Sequence, residues 1–214
     1  MVHHFSSLHP PGSEKKAIEE RVYRNPDVVE AAKNLLGCSL FTEIDGHLTG
    51  GIITETEAYA GVEDKASHAY GGRLTKRTEA MYRQGGVAYV YLCYGIHALF
   101  NVVTGNAGVP HAVLIRALHP THGIDIMMQR RRKTRPDRSL TNGPGALTVA
   151  LGIAVGHTGI SLDSELLWIA DSGLQINEFE ATPRIGIDYA EECVSLPYRF
   201  VAKVDDNPLL RIAK

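Results

Sequence analysis

Short apolar runs alternate with polar residues along much of the chain, and this pattern predicts a sheet built largely from hairpins. The clearest hairpin has strands at about 38–44 and 48–59, joined through Asp45-Gly46, a dipeptide suited to a tight turn. A second hairpin is centred on Gly95. The strands predicted outside the first hairpin lie near 87–94, 98–104, 111–118, 165–170, 184–188 and 198–204.

Helical periodicity is confined to a few short segments. One helix is predicted to begin at about Asp27, because the apolar residues that follow fall on one face, and to end before Gly37. Further helices are predicted at about 122–133 and 144–151, and residues 75–83 are weakly helical. Without repeats or long linkers, these elements predict one α+β domain with a mostly antiparallel sheet and flanking helices.

The composition is that of a single soluble domain. The chain has 214 residues, of which 44% are hydrophobic and 21% charged. Residues 1–13 are predicted to form a flexible tail and residues 14–214 the domain. No apolar stretch approaches the roughly 18 residues of a membrane span, and the amino terminus lacks the order of a signal peptide. We therefore expect no membrane association and infer a cytoplasmic protein, nucleoid-associated if bacterial.

The net charge of −2 conceals a strongly basic middle of the chain. Residues 65–138 contain twelve Lys and Arg against three Asp and Glu, a local balance of +9. A polyanion such as DNA or RNA would be attracted to this segment through phosphate contacts and counterion release. A solvated helical surface is the other interpretation of the run Arg130-Arg131-Arg132-Lys133.

The predicted strand at residues 53–59, ITETEAY, carries two acids and a tyrosine on one face. Side chains alternate in an extended chain, so Glu55, Glu57 and Tyr59 point the same way. An unpaired ionised carboxylate that is removed from water costs several kcal/mol, roughly. These acids are therefore expected either to have structural partners or to carry out chemistry.

Three tyrosines lie within six residues of the second hairpin. Alternation places Tyr89 and Tyr91 on one face and Tyr94 on the other, beside the turn. Each also fits an ordinary half-buried strand residue, so the tyrosines alone decide nothing. Together with nearby basic residues they predict a stacking surface for an unpaired base, set within positive charge. The basic residues are Arg73, Lys76, Arg77 and Arg83.

Other kinds of site find little support in the residues. The histidines show no HExxH motif and no familiar zinc spacing, and the three cysteines form neither a CxxC nor a disulfide framework. A Ser-His-Asp hydrolase is disfavoured because no GxSxG motif is present. We expect no metal and no cofactor. The segment Asn142-Gly143-Pro144-Gly145 predicts a helix start that faces a phosphate, or an ordinary helix cap without a ligand.

Several blocks of the sequence resemble a known family. They are ETEAYAGVEDKASHAYGGRLTKR, YVYLCYGIHALFNVVTG, VLIRALHP, NGPGALTVALGI, RIGID and PYRF, and they span about residues 18–204 in the family's order. Through them the chain resembles the alkyladenine (3-methyladenine) DNA glycosylases. The resemblance implies a fold similar to the carboxy-terminal domain of methionyl-tRNA formyltransferase. It also implies a monomeric, monofunctional glycosylase that removes damaged purines from double-stranded DNA.

The resemblance further implies roles for individual residues. Glu57 would be the general base and Glu55 would not, and Arg116 would lie beside the catalytic carboxylate and its water. We expect Glu55 to be turned aside into a structural hydrogen-bond network. The resemblance implies that the flipped base is held by Tyr59, His68, Tyr91 and Asn101. It implies that Tyr94 fills the gap that the base leaves in the DNA stack.

Contacts to the DNA backbone are expected from the basic residues and from the predicted helix start. The expected substrates are alkylated or deaminated purines of the 3-methyladenine, 7-methylguanine, hypoxanthine and ethenoadenine class. Two alternatives stay open: a noncatalytic DNA- or RNA-binding module of the same fold, which would not need Glu57, and a metal-free nucleoside hydrolase. The expected backbone contacts are Arg73, Lys76, Arg77, Asn142 and Gly143.

Overall fold

The longest strand, β2 (His47–Tyr59), organises the sheet. The computed structural model describes residues 18–203. In it the first half of β2 pairs antiparallel with β1 (Ser39–Ile44), and β5 (His111–His122) pairs along the opposite edge. The second half of β2 pairs with β8 (Arg199–Ala202). Both acids of β2 therefore lie in the middle of the sheet.

The remaining strands extend the sheet on both sides of β2. They are β3 (Ala88–Cys93), β4 (His97–Thr104), β6 (Leu167–Ala170) and β7 (Phe179–Thr182). The main path runs β3-β4-β5-β2-β1-β6, and β7 pairs with β8. Every described pairing between strands is antiparallel, so the predicted α+β architecture with an antiparallel, hairpin-rich sheet is confirmed.

Short helices cover the sheet. Asp27 starts α2 by accepting hydrogen bonds from two backbone N–H groups, as its position before the apolar face predicts. The Thr56 hydroxyl of β2 donates to the Ala32 carbonyl and ties α2 to the sheet. No helix within residues 18–203 is long and apolar enough to cross a membrane. The helices are α1 (Glu20–Tyr23), α2 (Val28–Asn34), α3 (Ile124–Arg131) and α4 (Pro144–Leu151).

The predicted turn residues take the conformations that a tight hairpin requires. Asp45 and Gly46, between β1 and β2, have φ of 57° and 72°. Tyr94 and Gly95, between β3 and β4, have φ of 50° and 71°. Positive φ at both central positions is the type I′ pattern, which glycine and asparagine or aspartate adopt most readily. Tyrosine is an unusual residue for such a position.

One predicted strand is wrong. Residues 184–188 alternate in polarity but form no strand, and the strand in this part of the chain is β7 at Phe179–Thr182. The backbone N–H of Ile185 bonds to a side chain instead of a neighbouring strand, and Arg184 turns into the core. In the weakly helical 75–83 region the structure has a 3-10 turn at Glu79–Tyr82.

Two further predictions are not tested by the fold. The tail at residues 1–13 lies outside the described residues. The likeness to the formyltransferase domain stays a prediction.

Candidate active site

An open cleft of about 420 Å³ lies beside the carboxyl end of β2. Its size is within the range of small-molecule sites. The cleft is lined by side chains that lie far apart in the sequence, and several residues with predicted roles are among them. They include Tyr59, His68, Tyr91, Asn101 and Arg116, with Tyr94 at the rim.

Glu57 lies directly behind this lining and is fully buried. Its Oε2 accepts a hydrogen bond of 2.8 Å from the Tyr59 hydroxyl, and its Oε1 accepts one of 2.9 Å from the backbone N–H of Ile185. The guanidinium of Arg116 contacts Oε1 at 3.2 Å. Burial, and then the charge of Glu57, raise the pKa of Tyr59, so the phenol keeps the proton that it donates.

The contacts of Glu57 leave part of its capacity unused. A carboxylate offers about four acceptor positions. In the described part of the chain, Oε1 faces two donors, whereas Oε2 has the Tyr59 hydroxyl as its one hydrogen-bond partner. Oε2 can therefore accept one more hydrogen bond, for example from a water molecule.

Glu55 lies two residues away and has different neighbours. Its Oε1 accepts from Arg116 Nε at 2.7 Å and from Arg199 Nε at 2.6 Å. Arg199 also donates to the Thr182 hydroxyl, which links the pair to β7. Glu55 thus lies in a network with two arginines, one of which, Arg116, also contacts Glu57; that the role of Glu55 is structural stays a prediction. Burial opposes the charge of Arg116, but Glu57 and Glu55 raise its pKa overall.

A second buried ion pair supports the loop that follows β7. Arg184 and Asp64 are almost completely buried and form a bidentate pair with distances of 2.5 and 2.8 Å. Arg184 also donates to the Ala58 carbonyl and lies over the Tyr59 ring, 4.8 Å from its centroid. This pair fixes the residue just before Ile185, whose N–H reaches Glu57.

Three aromatic side chains form one wall of the cleft. Tyr89 and Tyr91 are stacked with centroids 5.5 Å apart, and the His68 ring meets Tyr91 edge-on at 4.4 Å. His68 Nδ1 lies 2.8 Å from the Tyr89 hydroxyl. Burial, followed by the charges of Arg77 and Arg73, lowers the pKa of His68 to about 4. The imidazole is therefore neutral at physiological pH.

Asn101 occupies a fixed position at the cleft. It is buried, and its side-chain amide donates to the carbonyls of Tyr89 and Leu99 at 3.1 and 3.4 Å. Because both bonds go to the backbone of the β3–β4 hairpin, the side chain cannot move without the sheet. This rigidity suits a residue that borders a pocket.

Tyr94 projects from the tip of the β3–β4 hairpin. Its side chain is 89% exposed, and the neighbouring Ile96 is 73% exposed. The tight turn closes through a hydrogen bond from Ile96 N to the Cys93 carbonyl. A non-glycine residue with positive φ is mildly strained, and such strain often marks a functional position.

The predicted backbone contacts lie at different places around the cleft. Arg73, Lys76 and Arg77 are all exposed on the loop after residue 72, and Arg77 also lines the cleft and lies over Tyr91. Asn142 is exposed and Gly143 is the N-cap of α4, with no side-chain cap. The adjacent Pro144 lines the cleft, so this helix start faces the site.

The basic run at the end of α3 makes several contacts within the protein. Arg130 donates to the carbonyls of Ile44 and Ala150, and Lys133 pairs with Asp137. Arg132 and Arg135 are exposed, and whether they contact DNA stays open.

Sequence reasoning missed three residues that shape the site: Arg184, Ile185 and Arg199. Their contacts with Asp64, Glu57 and Glu55 span 120, 128 and 144 residues. No local pattern reports contacts at such separations. The available signal was the presence of these residues in the blocks RIGID and PYRF.

Comparisons with known proteins agree with the geometry. The model of the methylpurine-DNA glycosylase family matches residues 21–206. A protein of Chlamydia felis is 52% identical over 188 residues, which cover 87% of this chain and 96% of that protein. A protein of Bacillus cereus is 48% identical over 184 residues, or 81% and 90% of the two chains. Both carry the name "Putative 3-methyladenine DNA glycosylase". The chain belongs to the methylpurine-DNA glycosylase family.

Proposed function

We propose that this DNA glycosylase swings damaged purines out of duplex DNA into the cleft and hydrolyses the bond between the purine nitrogen and C1′ of deoxyribose. The proposed substrates are 3-methyladenine, 7-methylguanine, hypoxanthine and ethenoadenine. The single observation that carries the proposal is the buried Glu57 carboxylate, placed behind the cleft lining with an acceptor position left on Oε2.

Glu57 would act as the general base. Cleavage of the glycosidic bond develops positive charge on the sugar, and an ionised carboxylate can both take a proton from the attacking water and stabilise that charge. Arg116 contacts Oε1, so it holds the carboxylate in one orientation without occupying Oε2. General-base assistance of this kind is worth ~10²- to 10⁴-fold in rate.

The aromatic wall would hold the flipped base. A purine between Tyr59 and Tyr91 gains stacking energy, and a lesion with a positive charge gains a cation–π attraction of about 1 to 2 kcal/mol when desolvated. A hydrogen bond from the His68 region would help to hold neutral lesions such as hypoxanthine. Asn101, which its backbone hydrogen bonds hold in place, would exclude the 2-amino group of guanine.

Tyr94 would fill the space that the base leaves. Extrusion costs a few kcal/mol, roughly, and a ring stacked into the gap offsets part of that cost. The exposed ring and the tight turn beneath it support this role. Arg73, Lys76, Asn142 and Gly143 would contact phosphates on either side, and the protein would act as a monomer.

We further propose that the reaction stops at the abasic strand. Lyase chemistry needs an uncharged lysine amine that attacks C1′. Lys65, the lysine near the catalytic block, pairs with Glu191 and Glu192 at 2.5 and 2.8 Å. Its hydrogen bonds to Glu191 and Glu192 raise the pKa of Lys65, which disfavours the uncharged amine.

The test is incubation of the protein with duplex DNA that carries a single hypoxanthine. We expect release of free hypoxanthine and a strand that breaks only after treatment with alkali. Binding without release would favour the noncatalytic module. Release of hypoxanthine from free deoxyinosine at a comparable rate would favour the nucleoside hydrolase.

A further inference from the structure

Arg184 is a charged side chain in the protein interior, and the mechanism proposed above gives it no task. Its side chain is 0% exposed, and its partner Asp64 is almost as deeply buried. Burial lowers the pKa of Arg184, but the hydrogen bonds and the charge of Asp64 raise it overall, so the guanidinium is charged. Replacing such a pair by apolar residues is often neutral for stability, so stability alone does not explain its presence.

The Arg184–Asp64 pair holds the end of β2 in place. Arg184 Nη1 donates to the Ala58 carbonyl at 2.8 Å, and Nη2 donates to the Cys193 carbonyl at 3.3 Å. Asp64 Oδ2 accepts from the backbone N–H of Ala60 at 3.0 Å. The pair therefore fixes the end of β2 against the loops at residues 64 and 184 and against the turn at residue 193.

Two of the donors that hold Glu57 lie next to this pair. The Tyr59 hydroxyl donates to Oε2, and the Tyr59 ring lies 4.8 Å from the Arg184 guanidinium. The N–H of Ile185, the residue after Arg184, donates to Oε1 at 2.9 Å. Ile185 lies outside the strands and is 53% exposed, so sheet pairing does not hold its N–H in place. Arg184 is thus placed to fix one donor to each oxygen of Glu57.

We propose that the Arg184–Asp64 pair positions the Glu57 carboxylate for general-base catalysis by fixing the Ile185 N–H and the Tyr59 hydroxyl. This inference rests on the proposed function, in which Glu57 takes a proton from the attacking water. A displacement of the carboxylate by about 1 Å would cost ~10²-fold in rate, because the water must be held in line with C1′. Arg184 and Asp64 act through Glu57 and are positioning residues.

The first experiment follows the Ile185 N–H without any substrate. Hydrogen exchange of assigned backbone amides, measured by NMR, reports how often this N–H leaves Glu57. Exchange should be about tenfold faster in Arg184→Met than in the unmodified protein. The amide of Ile53, which donates to the Cys38 carbonyl, monitors global unfolding. Equal protection of Ile185 in both proteins, once the exchange of Ile53 is allowed for, would overturn the proposal, whether or not the protein is a glycosylase.

The second experiment separates the chemical step from binding. Single-turnover release of hypoxanthine from duplex DNA should fall about 10- to 100-fold in Arg184→Met. Binding of the lesion duplex should change only a few-fold, because Arg184 is buried behind the cleft. Arg184→Lys keeps the charge and one or more of the hydrogen bonds, so it should recover part of the rate. A loss that appears in binding alone would overturn the proposal.

A double variant shows whether Arg184 acts through Glu57. In the Glu57→Gln background the general base is already lost, so Arg184→Met should lower the rate by only about threefold more. A full additional loss in that background would give Arg184 an independent role and would overturn the proposal.

Arg130→Met is the matched control for lost stability. Arg130 also donates to a backbone carbonyl and a hydroxyl, those of Ile44 and Thr49, but these contacts lie at the opposite end of β2 from Glu57. Rates are compared below the unfolding transition of every variant, as followed by circular dichroism. A rate loss in Arg130→Met equal to that in Arg184→Met would overturn the proposal.

Asp64→Asn keeps the proposal testable if Arg184→Met does not fold. Asparagine has nearly the same size and can still accept from the Ala60 N–H, but it weakens the pair with Arg184. Exchange of Ile185 should again become faster and release of hypoxanthine slower, and unchanged values of both would overturn the proposal. Absence of release by the unmodified protein would instead refute the proposed function.

Discussion

The cluster around Glu57 just behind the cleft lining, called the floor below, differs in construction from the tip of the β3–β4 hairpin. Glu57 at the floor is 0% exposed and is held by Tyr59, Ile185 and Arg116. Tyr94 at the tip is 89% exposed. The floor is desolvated and fixed before any substrate arrives, whereas the tip presents an apolar ring to solvent.

This difference separates the two tasks that the proposed reaction requires. Charge that develops in a transition state is best stabilised by groups that are already in place and shielded from water. A wedge that enters DNA must instead be accessible, and it regains its burial in the complex. Changes at the floor should therefore affect the rate of bond cleavage, and changes at the tip should affect binding and extrusion.

The largest effect is expected at Glu57. Glu57→Gln keeps the shape of the side chain but removes its charge and basicity, so the single-turnover release of hypoxanthine should fall by about 10³-fold. Binding to the lesion duplex, measured by fluorescence anisotropy, should change only a few-fold. Near-normal release would show that Glu57 is not the general base. It would also show that the floor does not control the rate of bond cleavage.

Tyr94→Ala should give the next largest effect, at a different step. Loss of the stacked ring should weaken extrusion of ethenoadenine about 10- to 100-fold, as followed by the change in fluorescence of that base on binding. Tyr94→Phe keeps the ring and serves as the control, with an extrusion equilibrium close to that of the unmodified protein. An unchanged extrusion equilibrium in Tyr94→Ala would contradict the assignment of Tyr94 as the residue that fills the gap in the DNA stack.

Glu55→Gln should mainly affect stability. The substitution leaves Arg116 and Arg199 around a neutral acceptor, and urea unfolding should show a loss of about 2 kcal/mol. Release of hypoxanthine should fall less than tenfold, far less than in Glu57→Gln. The control is Glu180→Gln, at an exposed position on β7, which should unfold at the same urea concentration as the unmodified protein. A rate loss as large as that of Glu57→Gln would instead show that Glu55 and Glu57 act together in catalysis.

The smallest expected effect concerns His68, between floor and tip. Its pKa is lowered from 6.5 to about 4 by burial and then by Arg77 and Arg73. Below pH 6.5 the unfolded chain binds a proton that the folded protein does not, so stability falls as pH decreases from 6.5 towards 4. At pH 5 the loss is about 1 kcal/mol, after allowance for partial exposure to solvent.

Thermal unfolding of His68→Gln checks the direction of this pH dependence of stability. The unmodified protein should lose about 2 to 4 °C more in Tm between pH 7 and pH 5 than the variant does. An equal drop in both proteins would show that His68 does not resist protonation in the fold.

Local patterns in the sequence predicted the elements that depend on neighbouring residues. The β1–β2 hairpin follows from alternation and from Asp45-Gly46, and α2 follows from the cap at Asp27. Both signals lie within a few residues of the structure that they specify. The same alternation misled at residues 184–188, where packing of Arg184 on Asp64 outweighs the local preference for a strand.

The candidate site was predictable only in part for the same reason. Alternation correctly placed Glu55, Glu57 and Tyr59 on one side of β2, where they meet around Arg116. The partners that distinguish the two acids come from the far end of the chain, and only the fold brings them together. The position of Arg77 in the cleft likewise depends on tertiary contacts with His68 and Tyr91, which a basic run cannot specify.

A crystal structure of the protein bound to duplex DNA with an uncleavable hypoxanthine nucleotide tests the central claim most directly. We expect the nucleotide in the cleft and a water molecule hydrogen-bonded to Glu57 Oε2, about 3 to 3.5 Å from C1′ of the sugar. A structure in which Oε2 remains shielded behind Tyr59, with no water between it and the anomeric carbon, would contradict the account.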